Sequence, residues 1–199
     1  EGNDSLLGGA GNDTIAGGTE NDTIQGGTGD DNVNGNRNDD VIIWNSGDGN
    51  DASVDGGEGT DELEINGSTT AADNFIVDDS GGNVRIQDGT DTVLGTNTNF
   101  ESLDLNANGG ADTVTVVDIS GVDVTTVNID GGEGNDSLDA SAAATTVILS
   151  GGTEDDTITG SNQADNIAGD SGNDSLLGGA GADTLMGGSE NDTINGGDG

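Results

Sequence analysis

The chain is 199 residues long and carries 40 acidic against 2 basic residues, with no His, Cys, Pro, Tyr or Lys. Only 28% of it is hydrophobic and 2% aromatic, while 39 residues are glycine, so no globular core of Leu, Phe and Trp can be assembled from it. The charge excludes nucleic acid, whose phosphates call for Lys and Arg, and an anionic membrane would repel the chain; it stays unfolded unless something that cancels negative charge folds with it.

From Gly8 the sequence reads GGAGNDTIA, GGTENDTIQ, GGTGDDNVN and GNRNDDVII, a nine-residue period that sets Asp4, Asp13, Asp22, Asp31 and Asp40 nine apart. This block covers residues 1–45. Over 46–67 the repeat degenerates, with GDGNDASV placing Asp51 and GGEGTDELE placing Asp61. Residues 68–130 keep a strand rhythm without the glycine turns. Val84-x-Ile86, Leu103-x-Leu105, Val114-x-Val116, Val122-x-Val124 and Val127-x-Ile129 alternate apolar with polar, which predicts half-buried strands. A separate β-sandwich is the alternative, but turns such as NGGADTVTV (Asn108–Val116) favour a continuing parallel coil. Over 131–150 one regular turn returns in GGEGNDSLD, with Asp136. Residues 151–199 form a second strict block, GGTEDDTIT, GSNQADNIA, GDSGNDSLL, GGAGADTLM and GGSENDTIN, with Asp156, Asp165, Asp174, Asp183 and Asp192.

Each position of the repeat has a physical task. Glycines at the first, second and fourth positions permit positive φ and bring backbone carbonyls close to a ligand. The sixth-position Asp offers a carboxylate, and the last three residues make a short strand whose middle residue (Leu6, Ile15, Ile24, Val33, Ile42) points inward. Two nonapeptides make one coil with a turn on each side, so Asp4, Asp22 and Asp40 form one column and Asp13 and Asp31 the opposite one. At the strand spacing of about 4.8 Å, stacked carboxylates repel by roughly 3 kcal/mol per pair at an effective dielectric near 20. A cation between successive loops reverses that sign. Ligands that are all carboxylate or carbonyl, with no His or Cys, select calcium over zinc or copper; magnesium, which wants a tight octahedron and keeps its water, is the weaker candidate.

These repeats resemble the RTX (repeats-in-toxin), or haemolysin-type calcium-binding, family of type I secreted bacterial proteins, strictly over Gly2–Ile43 and Gly151–Asn195 and loosely elsewhere. The resemblance implies an all-β, right-handed parallel β-solenoid, with calcium β-roll blocks flanking a less regular parallel β-helix. It implies several Ca²⁺ ions, each held between a loop and the next loop on the same side by the sixth-position carboxylates and by carbonyls of the first four positions. Carried over, the pairs are Asp4/Asp22, Asp22/Asp40, Asp13/Asp31, Asp156/Asp174, Asp174/Asp192 and Asp165/Asp183, with Asp51, Asp61 and Asp136 in looser loops. The accompanying glycines are Gly9, Gly11, Gly18, Gly27, Gly29, Gly57, Gly59, Gly132, Gly134, Gly152, Gly172, Gly179, Gly181 and Gly188. Glu20, Glu154 and Glu190, with Asn38 and Gln163, stand where the fourth glycine belongs. A Glu resists the left-handed conformation there, so reshaped but still occupied turns are expected ahead of two alternatives, weaker calcium binding or an added Glu ligand.

A longer period is also present. Residues 2–29 reappear as 172–199 with 22 of 28 positions identical at an offset of 170. This predicts a tandem module of about 170 residues, cut from something longer, advancing about 45 Å if every coil holds about 18 residues. Most enzyme chemistry fails on inventory, since no His, Cys, Lys or Tyr provides a base or activated nucleophile. Paired carboxylates could serve a glycosidase, but among 40 acids such pairing is uninformative and no aromatic platform holds a sugar, so no catalytic role is expected. Trp44 is expected in packing, and Arg37 in a local salt bridge. The functional expectation is a secreted, extracellular or cell-surface scaffold (fibre, adhesin stalk or matrix) that associates with further copies of itself and inserts into no membrane. The alternative is the noncatalytic folding and secretion module of an enzyme or toxin. Ice binding is a third reading, weakened by the irregular third position.

Overall fold

The computed structural model describes residues 2–89, 91–95 and 99–199. Short apolar stretches alternate between two sheets as the chain coils. The first sheet runs β1 (Ser5–Ala10), β3 (Thr23–Thr28), β5 (Val41–Asn45), β7 (Glu62–Asn66), β11 (Ser102–Asn106), β13 (Thr126–Glu133), β15 (Val147–Thr153), β17 (Asn166–Ser171) and β19 (Thr184–Ser189), all parallel. The second begins with β2 (Thr14–Gly18), β4 (Asn32–Arg37) and β6 (Asp51–Glu58). It ends with β12 (Thr113–Val116), β14 (Ser137–Asp139), β16 (Thr157–Thr159), β18 (Ser175–Leu177) and β20 (Thr193–Asn195). Among the described residues there is no helix, and the chain is a parallel β-solenoid.

Register follows the repeat length. Ser5 lies beside Thr23 and Thr23 beside Val41, a step of two nonapeptides each time. The coil then opens. Val41 lies beside Glu62, Glu62 beside Ser102 and Ser102 beside Thr126, all longer steps, with Glu62 to Ser102 the longest. It closes again through Val127 beside Val147 to the two-repeat step of Asn166 to Thr184. Trp44 stands at the first widening, buried beside Ile65. Its counterpart one coil earlier is Gly26, where a Cβ would overlap the Asp31 carboxylate. The inward stack, including Ile24, Ile42, Leu63, Leu103 and Val127, forms one continuous apolar core with Phe75, Val114 and Leu138 of the other sheet. Of the predicted inward residues, Leu6 and Ile15 are only partly buried, because they sit on the first coil with nothing described below them.

The middle departs from a simple parallel coil. β9 (Val84–Asp88) runs antiparallel to β8 (Asn74–Asp79) and β10 (Asp91–Gly95), and the three fill the second sheet between β6 and β12. The reversal is local chemistry. Gly81 and Gly82 have φ of 72° and 86°, and the Ser80 N–H donates to the Asn83 carbonyl across them at 2.8 Å, the two-glycine hairpin that twisted strands favour. Arg85 clamps the hairpin through both nitrogens to Asp78. β8 and β10 then rejoin parallel neighbours, β12 and β6.

The 170-residue echo also changes sides. Ser5–Leu7 lie in the first sheet, and their counterparts Ser175–Leu177 lie in the second; Thr14 lies in the second, and Thr184 in the first. From β1 to β17 the first sheet advances seven strands, and β18 lies half a coil further. The wide middle coils therefore shorten the advance below the value of about 45 Å expected from uniform two-repeat coils.

Candidate calcium loops

Each glycine-rich turn leads from a strand of one sheet to the next strand of the other. Its sixth residue is fixed by a bond to its counterpart one coil away. The Asp4 N–H donates to Asp22 Oδ1, Asp22 to Asp40 and Asp40 to Asp61, each at 2.8 Å, and Asp61 donates to Glu101 Oε2 at the same distance. On the other side Asp13 donates to Asp31 and Asp31 to Asp51. Beyond the excursion a column runs Asp73, Asp112, Asp136, Asp156, Asp174, Asp192, with each N–H bonded to the Oδ1 of the next. Asp165 donates likewise to Asp183. All six predicted pairs are thus stacked, and Asp51, Asp61 and Asp136 join the columns. Sequence reasoning passed over Asp73, Glu101 and Asp112; only the NGGAD of residues 108–112 carried a signal.

The second carboxylate oxygen is left over. Oδ2 of Asp13, Asp22, Asp31, Asp40, Asp61, Asp112, Asp136, Asp156, Asp174 and Asp183 is shielded from water and accepts no hydrogen bond. Except at Asp112, whose loop has Ala107 in that place, it lies over the first-position glycine of its own loop: a Cβ on Gly8 would overlap Asp13 Oδ2 and the Gly26 carbonyl oxygen of the next coil, and one on Gly131 would overlap Asp136 Oδ2 and the Gly151 carbonyl. These first-position glycines were not among the predicted site residues. A buried carboxylate oxygen without a partner is costly while ionised. Burial, followed by neighbouring carboxylates, pushes Asp156 up to about 7 and Asp51 and Asp61 to about 6, against backbone N–H bonds that pull the other way. Among the described residues no three acidic side chains converge on one point, so an ion here draws mainly on carbonyls. An unpaired carboxylate oxygen against a carbonyl, all hard donors, fits calcium. One concave space of this kind lies between the loop at Gly181–Asp183 and Gly196, Gly197 and Gly199.

The predicted second- and fourth-position glycines have left-handed φ, from 93° at Gly132 to 147° at Gly172, except Gly59. A Cβ on Gly59 would overlap the Asn38 carbonyl oxygen, so close approach is what requires glycine there. Glu20, Glu154 and Glu190 keep the left-handed turn, with φ of 75–76°, where reshaping was expected. Two of them compensate with their own carboxylates. Glu154 Oε2 accepts from the Gly134 N–H at 3.0 Å and the Thr153 hydroxyl at 2.6 Å, and Glu190 Oε2 accepts from Gly172 and Ser189 in the same way. Asn38 is also left-handed. Gln163 is not among the positive-φ residues, and its loop differs. Ser161 donates its N–H to Asp165 Oδ2 at 2.7 Å, and its hydroxyl contacts both carboxylate oxygens. Arg37 pairs with Glu58 at 3.6 Å, both strongly exposed, which contributes little.

The sequence matches the RTX calcium-binding nonapeptide repeat (4 copies) over residues 1–24, 7–42, 16–52, 128–146, 148–176 and 177–199, more than half of the chain. The chain belongs to the RTX calcium-binding repeat family. Its fold is a structural, calcium-binding one, and the repeats imply that it binds Ca²⁺. No curated protein matches it.

Proposed function

We propose that the chain is an extracellular structural module, a segment of a rod, stalk or matrix fibre built from tandem copies and held rigid by several calcium ions. The observation that carries this reading is the double column of buried, half-satisfied carboxylates beside a polypeptide with a net charge of −38. Such columns oppose folding until a cation enters, so metal binding and folding are one event. Affinities of extracellular calcium modules are about 10⁻⁴–10⁻³ M, which leaves the chain unfolded in a calcium-poor cytosol and rigid outside. Export is supported by the family's occurrence in secreted bacterial proteins, and a tandem array by the 170-residue echo.

Circular dichroism in EDTA and then in excess calcium tests the coupling. The expected result is a disordered spectrum converted to a β spectrum by calcium; a β spectrum indifferent to EDTA would sink the proposal. The competing role, a folding and secretion module attached to an enzyme or toxin, calls for a catalytic domain in the flanking sequence rather than more copies of the 170-residue unit.

A further inference from the structure

The loops divide into two kinds by the backbone at their second position. All ten buried, unpaired Oδ2 oxygens belong to loops whose second residue is left-handed, as at Gly9 with Asp13, Gly132 with Asp136 and Gly152 with Asp156, while the loops of Asp51 (after Gly47) and Asp192 (after Gly188) share that backbone without such an oxygen. Where it is not, its N–H turns onto the carboxylate: Ser161 donates to Asp165 Oδ2 at 2.7 Å, and Ser68 to Asp73 Oδ2 at 2.5 Å. Neither of these aspartates has an unpaired buried oxygen. The serine N–H supplies the positive end that a cation supplies elsewhere.

We propose that this second residue, and not the aspartate motif, decides which loops take calcium, so that Asp112 holds an ion and Asp165 does not. The inference rests on the calcium-module reading and deepens it. It departs from the repeat pattern in both directions. Asp112 lies outside the residues matched to the RTX repeat, and Asp165 lies inside them. The loop before Asp112 contains Asn108 at φ 70° and Gly110 at φ 144°, the second and fourth positions of a repeat turn. It stacks under the loop of Gly132 and Gly134, joined by the Glu133 N–H to the Asn108 carbonyl at 2.7 Å and the Gly110 N–H to the Glu133 carbonyl at 2.8 Å. Asp112 is 1% exposed, and its Oδ2 has no partner. Asp165 is also buried, but the Val147 N–H and the Ser161 N–H and hydroxyl satisfy both of its oxygens. Asn is well suited to the left-handed second position. Ser is less so, and its hydroxyl adds a donor that a bare glycine lacks.

Native mass spectrometry of the calcium-loaded chain counts bound ions directly, and a calcium titration followed by circular dichroism checks that each variant folds. Asp112→Asn is expected to lose one ion relative to the parent, and Asp165→Asn to lose none. Ser161→Gly, which removes the hydroxyl and frees the second position to turn left-handed, is expected to gain one ion. If Asp112→Asn fails to fold, the Asp165→Asn and Ser161→Gly counts decide alone. An ion lost in Asp165→Asn, or an unchanged count in Ser161→Gly, overturns the inference. A β spectrum indifferent to EDTA in the parent overturns instead the reading on which it rests.

Discussion

At the residue scale, the free Oδ2 of the column aspartates makes the response to acid depend on calcium. Unfolded, these carboxyls titrate near the ordinary 3.8, whereas in the fold burial raises Asp156 to about 7 and Asp51 and Asp61 to about 6. The metal-free fold therefore binds protons more tightly than the unfolded chain. Its stability is greatest below the unfolded value and is lost as pH rises through about 6 to 7. Calcium inverts the trend, because protons then compete for the same oxygens. In EDTA the β signal should be stronger at about pH 4.5 than at about pH 7.5, and in calcium the order should reverse; far-ultraviolet circular dichroism over that range checks both. Glycines at similar φ should also differ by what stands above them. Gly9 (φ 107°) has open space where a Cβ would go, while a Cβ on Gly27 (φ 95°) would overlap the Gly9 carbonyl. Gly9→Ala should cost about 1–2 kcal/mol for the left-handed backbone alone, and Gly27→Ala distinctly more. Equal melting-temperature shifts in calcium would remove the overlap argument.

At the element scale, the strands fall into two energetic kinds. Most strands of the first and last blocks bring one apolar side chain inward, as Ile24 does in β3, while β5 at the edge of the first block brings two, Ile42 and Trp44. So do β7, β11 and β13, with Leu63 and Ile65, Leu103 and Leu105, Val127 and Ile129. Doubling the buried apolar surface makes the middle less dependent on cations. On calcium withdrawal, amide exchange should accelerate first in 5–40 and 157–195 and last in 102–129; simultaneous loss everywhere would contradict it. Leu105→Ala should cost about 2–5 kcal/mol, while Leu7→Ala, 70% exposed, should stay within about 0.5 kcal/mol. Much of this was legible in the sequence because period and pattern agreed: the strand triplets, the inward residues and the carboxylate columns all followed from the nine-residue spacing. The antiparallel excursion was missed because Val84-x-Ile86 alternates alike in either strand direction, and only the Gly81-Gly82 pair marks the reversal. Asp165 stands apart in sequence through Ser161 and Gln163 at the second and fourth positions, but the consequence, the Ser161 N–H turned onto the carboxylate, was not legible there.

At the scale of the whole molecule, a charge of −38 on 199 residues sets the two end states far apart. Without calcium, small-angle scattering should give a radius of gyration near or above about 48 Å, the value for an unfolded chain of this length. Saturating calcium should reduce it to that of a compact rod, and a radius insensitive to calcium would contradict the coupling of metal and fold.

The side-switch of the echoed segment has a geometric consequence. The echoed segments lie seven and a half coils apart, an odd number of half-turns, so in the tandem array proposed above consecutive units would be related by a twofold screw, with a rise of about 36 Å at the ordinary strand spacing. In such an array, a feature on one flank of a unit would recur on the opposite flank of the next. A filament of such units would display its features alternately left and right, like leaves along a stem, with identical faces only every second unit.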